Sequence, residues 1–231
     1  FPSFVKDIIG AQSSVVTLFL ATFSIGIAVG SLMCNKLLKG KIHATYVPLA
    51  AIAISLFIFD LVNISKNIYH TNVILITVNE FLASYKGIRI TIDLFLIAIA
   101  AGIYTVPLYA LIQVNSEPSH LSRTIAANNI MNSLFMVAAS IITMALLYFK
   151  FTVNEVFLVI GLINTIVAIY ICKLLPERLI KLIFKGLFKF FYKVKIKGLE
   201  HYENVGERAL IVVNHTSLLD AALIASFLPD K

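Results

Sequence analysis

Five long stretches of this chain are almost free of charge, and that pattern limits the fold more than anything else in it. A helix needs roughly 20 apolar residues to cross about 30 Å of hydrocarbon. Residues 14–35, 44–62, 94–114, 124–149 and 153–172 meet that length. No charge lies between Asp7 and Lys36, and the second stretch carries only Asp60, near its far end. With no water in the bilayer, each segment must satisfy its own backbone N–H and C=O groups, so these stretches are predicted to be helices. Apolar residues make up 59% of the 231 and charged residues only 13%, with a mean hydropathy of +0.92, which excludes a water-soluble globular fold. A further apolar run, 73–78, stops at Asn79 and Glu80 and is too short to span; it is placed on the surface, in a connection covering 63–89. The expected fold class is mainly α, a polytopic membrane helical bundle.

Orientation follows from Lys and Arg near the helix ends. Lys36, Lys39 and Lys41, then Arg123, then Lys173, Arg178, Lys181, Lys185 and Lys189 fall on one side by alternation, which is assigned as cytoplasmic. The opposite loops carry Lys66, Lys86, Arg89 and Lys150. Five spans then put the N-terminus outside and the C-terminal segment inside. The net charge of +7 comes from residues set between apolar runs and in the C-terminal third, which suits a lipid surface. No basic, aromatic-interleaved face points to nucleic acid. Cys34 and Cys172 lie far apart, and His43, His70, His120 and His201 lack ligand spacing, so no disulfide, metal or bound cofactor is expected.

Beyond the fifth stretch the character changes. Pro176 restarts the helix, and Arg178, Lys181, Lys185 and Lys189 recur at three- and four-residue spacing, with Leu179, Ile183, Leu187, Phe190 and Phe191 filling the rest. Residues 176–192 are therefore expected to lie in the membrane interface, cations over headgroups; a charged linker is the plainer alternative. Residues 193–231 have the pattern of α/β protein. Residues 194–197 alternate like a strand, 209–213 are a short buried-strand run, and 218–227 have helical spacing.

The sharpest chemical signal is Asn214-His215-Thr216-Ser217-Leu218-Leu219-Asp220. It occupies a strand-to-helix turn, where the Asp220 carboxylate can reach back to one imidazole nitrogen of His215. That leaves the other nitrogen free to take a proton from a hydroxyl. The plain alternative is a helix cap beside a structural histidine. Within the bundle, Gly26 and Gly30 form a small-xxx-small face for close helix approach. Asn128, Asn129 and Asn132, with Gln113 and Asn164, are uncharged polar groups that are costly toward lipid. They either line a polar path or hold helices together. Asp60 reads as an interfacial charge before a proton carrier.

Asn-His-x-Ser-x-x-Asp after a short apolar strand resembles the first signature of the glycerolipid acyltransferases, which move acyl groups from acyl-CoA or acyl carrier protein to lysophospholipid or glycerol-phosphate hydroxyls. The resemblance implies His215 as general base, Asp220 as its partner, and Asn214 and Ser217 as supporting residues. It also implies that 193–231 is the opening part of such a domain, Gly198-Leu199-Glu200 included. The family's later signatures would follow residue 231, so this piece alone is not expected to catalyse.

Residues 1–175 look like the C-terminal half of a major facilitator superfamily transporter of the lysophospholipid type, which some bacteria carry fused to an acyltransferase. The likeness rests on residues 18–31, 106–113 and 122–130. The loop 36–41, with Gly30 before it and Gly40 inside it, is similar to the facilitator loop motif without its usual acidic residue. The expectation is a bifunctional, multi-pass protein of the bacterial inner membrane that translocates lysophospholipid and re-acylates it. Its partners would be membrane lipids, a lysophospholipid, an acyl donor such as acyl carrier protein, and the missing transporter half and acyltransferase remainder. The chain starts at Phe1-Pro2-Ser3 without an initiator Met, as an internal piece of a longer protein would. A transporter remnant or half-transporter without acyltransferase activity is the alternative.

Overall fold

Two helices of this protein open with the same four-residue device. Thr77 accepts from the Glu80 N–H while the Glu80 carboxylate accepts from the Thr77 N–H at 2.7 Å, and Thr152 and Glu155 repeat the arrangement at 2.6 Å. Each box satisfies N–H groups that a helix start leaves orphaned. The backbone hydrogen bond from Thr77, helped by its hydroxyl, holds the Glu80 carboxyl below its usual range. The computed structural model describes residues 1–38, 43–66, 75–196 and 219–228. Those residues form α1 (Ser13–Leu38), α2 (Val47–Ser65), α3 (Val78–Ala83), α4 (Tyr85–Val114), α5 (Leu121–Tyr148), α6 (Val153–Leu174), α7 (Pro176–Phe191) and α8 (Asp220–Phe227). Five of them, α1, α2, α4, α5 and α6, are long and apolar enough to cross a membrane.

The chain divides into two units, residues 1–171 and 172–231. In the first, a short π-helical turn, Phe4–Ile9, ends at Gly10, whose φ of 67° is a left-handed conformation that glycine adopts without cost. Gln12 N–H then donates to Ile76 O at 3.0 Å, and Ile76 N–H to Gly10 O at 3.1 Å, fastening the N-terminal segment to the approach to α3. Phe4, Phe19 and Phe81 are fully buried there, with Phe19 edge-on to Phe81 at 5.6 Å and Phe4 edge-on to Phe157 at 5.1 Å.

α1 packs on α4 through glycines. A Cβ on Gly26 would sit 2.6 Å from Ala98 Cβ, one on Gly102 would sit 2.7 Å from Ile27 O, and one on Gly30 would overlap Ile99 O. The two backbones therefore touch, as the small-xxx-small face implies. α6 is tied to α2 by Asn154, which donates to Val62 O at 3.2 Å, and by Asn164, which donates to Ala51 O at 2.9 Å and Ser55 Oγ at 2.8 Å. α5 contributes no buried residue.

Three sequence-based bounds change. The connection expected over 63–89 contains α3, with Phe81 in the core, and Ile76 and Val78 of the run placed on the surface are partly buried against that core. α4 begins at Tyr85, nine residues before the expected start at 94, because Ser84 caps it and Arg89 is paired with Asp60 of α2. Of the strand expected over 194–197, residues 194–196 are neither helix nor strand and 197 lies outside the described residues; no named strand occurs among the described residues. The run 209–213 lies outside the described residues.

In the second unit α7 starts with Pro176 at its first turn, where proline's missing N–H costs nothing. Phe188 is buried, stacked on Phe184 at 6.0 Å and facing Phe227 of α8 at 6.5 Å, with the Lys185 ammonium over the Phe227 ring. Ile180, Ile183, Leu187, Phe190 and Phe191 of α7 are exposed.

Two stability outcomes follow. Gly30→Val should lower the thermal midpoint in detergent by an amount corresponding to about 1–3 kcal/mol of overpacking, whereas Gly186→Ala, whose Cβ would meet nothing within 4 Å, should not lower it. The α5 C-terminus closes as a Schellman turn, with Phe151 N–H on Leu146 O, Lys150 N–H on Leu147 O, and Lys150 at φ 64°. Lys150→Gly should therefore raise the same midpoint, by the equivalent of about 1 kcal/mol.

Candidate functional site

α4 carries part of two gatherings of polar groups in the first unit. At the C-terminal end of α4, the residues Tyr104, Thr105, Leu108, Tyr109 and Ile112 recur at helical spacing and face α5 across a groove of about 660 Å³. The opposite wall is Asn128, Asn132, Phe135, Met136 and Ala139, again one helical face. Asn132 Nδ2 donates to the Tyr109 hydroxyl at 2.7 Å, joining the walls. The groove is mostly apolar, with a few hydroxyl and amide groups on it, a composition suited to an amphiphile.

The expected path residues divide. Asn128 and Asn132 line the groove. Asn129, one position away and so about 100° around the helix, is exposed, as is Gln113. Asn164 spends its amide on α2.

The second gathering lies near the N-terminal end of α4. Asp60 of α2 is held by Arg89 in a bidentate pair, with Nη2 at 2.7 Å and 2.9 Å from the two oxygens and Nε at 3.1 Å. Arg89 also donates to the Tyr85 hydroxyl at 3.1 Å. One turn further along α4 is Asp93, 3% exposed and within the electrostatic reach of both Asp60 and Arg89. Its Oδ2 has no hydrogen-bond partner among the described residues. Treating every charge as the end of a span hides this cluster. The signal that finds it is Arg89 and Asp93 at i, i+4 spacing among Ile90, Ile92 and Leu94, a helical face that continues the apolar run.

In the second unit Asp220 is the first residue of α8, where a carboxylate faces the positive end of the helix dipole. Asn214, His215 and Ser217 lie outside the described residues.

Compared with models of protein families, with curated proteins and with solved structures, the chain matches none. The class that composition and structure define is a helical chain with five helices able, by length and apolarity, to cross a membrane.

The Asp60–Arg89 pair can be tested by a double-mutant cycle. Asp60→Asn and Arg89→Met should each destabilise the bundle, because each breaks the bidentate contact that joins α2 to α4, and the double variant should be less destabilised than the sum of the two. A coupling of about 0.5–3 kcal/mol by thermal unfolding in detergent is the expected outcome; strict additivity would show that the pair does not couple.

Proposed function

We propose that this chain belongs to a protein of the bacterial inner membrane that moves lysophospholipid and re-acylates it, with the C-terminal segment in the cytoplasm. The observation that carries the transport reading is the α4–α5 groove. Tyr104, Thr105, Tyr109, Asn128 and Asn132 offer hydroxyls and amides beside Leu108, Ile112, Phe135 and Met136. A single-chain lipid presents the same combination, a hydrogen-bonding headgroup on one acyl tail. Neutral polar groups suit a molecule that must leave again, since they cost little to expose once the headgroup has gone. The cytoplasmic placement of the C-terminal segment is supported by the Lys and Arg of 173–189.

The acyltransferase reading is supported by the motif from Asn214 to Asp220. In it His215 takes the proton of the acceptor hydroxyl, and the oxygen attacks the carbonyl carbon of an acyl thioester of coenzyme A or acyl carrier protein. The C–S bond then breaks, and the departing thiolate takes the proton from the imidazolium. Asp220 holds the imidazole in the productive tautomer and stabilises its charged form.

The experiment uses the intact native protein in vesicles with lysophosphatidylethanolamine. Asn132→Leu should slow translocation roughly tenfold, as expected for the loss of about 1.4 kcal/mol of polar contact, and Ala139→Phe, which fills the groove, should slow it further. His215→Ala should cut acylation by about 10²- to 10⁴-fold and leave translocation intact. Unchanged translocation in both groove variants would sink the transport reading; unchanged acylation in His215→Ala would sink the enzymatic one.

A further inference from the structure

The Asp60–Arg89–Asp93 cluster is not used by the groove, and its charges do not balance. Two carboxylates face one guanidinium, so with all three ionised the cluster carries one excess negative charge within the bundle. Arg89 is committed to both oxygens of Asp60. Asp93 is left 3% exposed, with Oδ2 lacking any donor among the described residues. Among the described residues of the elements packed on α4, α1 has no charge before Lys36, α2 carries Asp60 with Lys66 just past its end, the only acid of α3, Glu80, is bonded to Thr77, and Arg123 of α5 follows the opposite, C-terminal end of α4. Lys86 lies on α4 itself, seven positions before Asp93. A buried, unpaired carboxylate is among the most costly groups a protein can hold.

We propose that Asp93 is a proton-binding site, with the proton carried on Oδ2. A proton is favoured over a metal cation by the donor set. Sodium or calcium needs a shell of several oxygens, and here one oxygen is free while those of Asp60 are occupied by Arg89. Protonation removes the excess charge and turns an orphaned acceptor into a neutral carboxyl. The Asp60 and Arg89 side chains are 31% and 40% exposed, and at the margin of the charge-free run such side chains reach water. The proton thus exchanges past an ion pair one turn away while the carboxyl itself stays dry. Ionisable carboxylates on spanning helices commonly mark proton relays. The proposal does not depend on the lysolipid reading.

The test is infrared difference spectroscopy on the whole chain reconstituted in lipid bilayers at neutral pH. The wild type should show the C=O stretch of a protonated carboxyl that is lost in Asp93→Asn and kept, at a shifted frequency, in Asp93→Glu. Should Asp93→Asn fail to fold, the shift in Asp93→Glu decides alone. Asp60→Asn should also abolish the band, because it frees Arg89 to pair with Asp93. A wild-type spectrum with no such band, or a band unmoved in Asp93→Glu, would overturn the proposal. So would a band lost when sodium chloride replaces choline chloride at fixed pH, which would mark a metal-cation site.

Discussion

Contact between the α1 and α4 backbones is the interaction on which the rest of the first unit depends. Between helices in lipid the hydrophobic effect supplies little, because acyl chains are as apolar as leucine, and association relies on close packing. Gly26 and Gly30 of α1 and Gly102 of α4 remove the side chains that would keep the helices apart. Around them Phe19, Ile90, Leu94 and Ala98 are buried. That seam fixes α4, and α4 in turn carries one wall of the groove and two of the three charges of the Asp60–Arg89–Asp93 cluster.

α4 can serve both because it is long. Its 30 residues make about 45 Å of helix, against about 30 Å of hydrocarbon. The charge-free run from Leu94 to Val114 is enough to span, so Arg89 and Asp93 sit at the margin of that run rather than in its middle. The margin is where long side chains can reach water. Burial of Asp93 is then imposed by neighbouring protein, and partial exposure of Asp60 and Arg89 follows from the same position.

The spans were legible because charge is expensive in lipid, and what was misread was misread for the same reason. Counting from charge to charge gives α1, α2, α5 and α6 to within a few residues. It shortens α4, since Arg89 and Asp93 look like loop until Asp60 is known to lie across from them. Phe81 was hidden likewise: Asn79 and Glu80 look like surface, yet Glu80 serves as a cap and leaves Phe81 facing the core. The groove was half legible. Four-residue spacing puts Asn128 and Asn132 on one face, and the same rule turns Asn129 away. The partners of Asn164 require knowing that α6 lies on α2, which a single sequence does not contain.

The two polar seams of α4 differ in what they can exchange. Facing α5, whose residues are all at least partly exposed, the seam is open and its polar groups are neutral; they can trade the Asn132–Tyr109 bond for bonds to a guest. Facing α2, the seam is closed around a bidentate pair, and a guest of molecular size has no room beside Asp93 at 3% exposure. A closed seam of excess negative charge can change its state only by gaining or losing the smallest of cations. Both seams lie on α4, which is held against α1 by glycine contacts and interrupted at Pro107, where the ring removes one hydrogen bond of the helix.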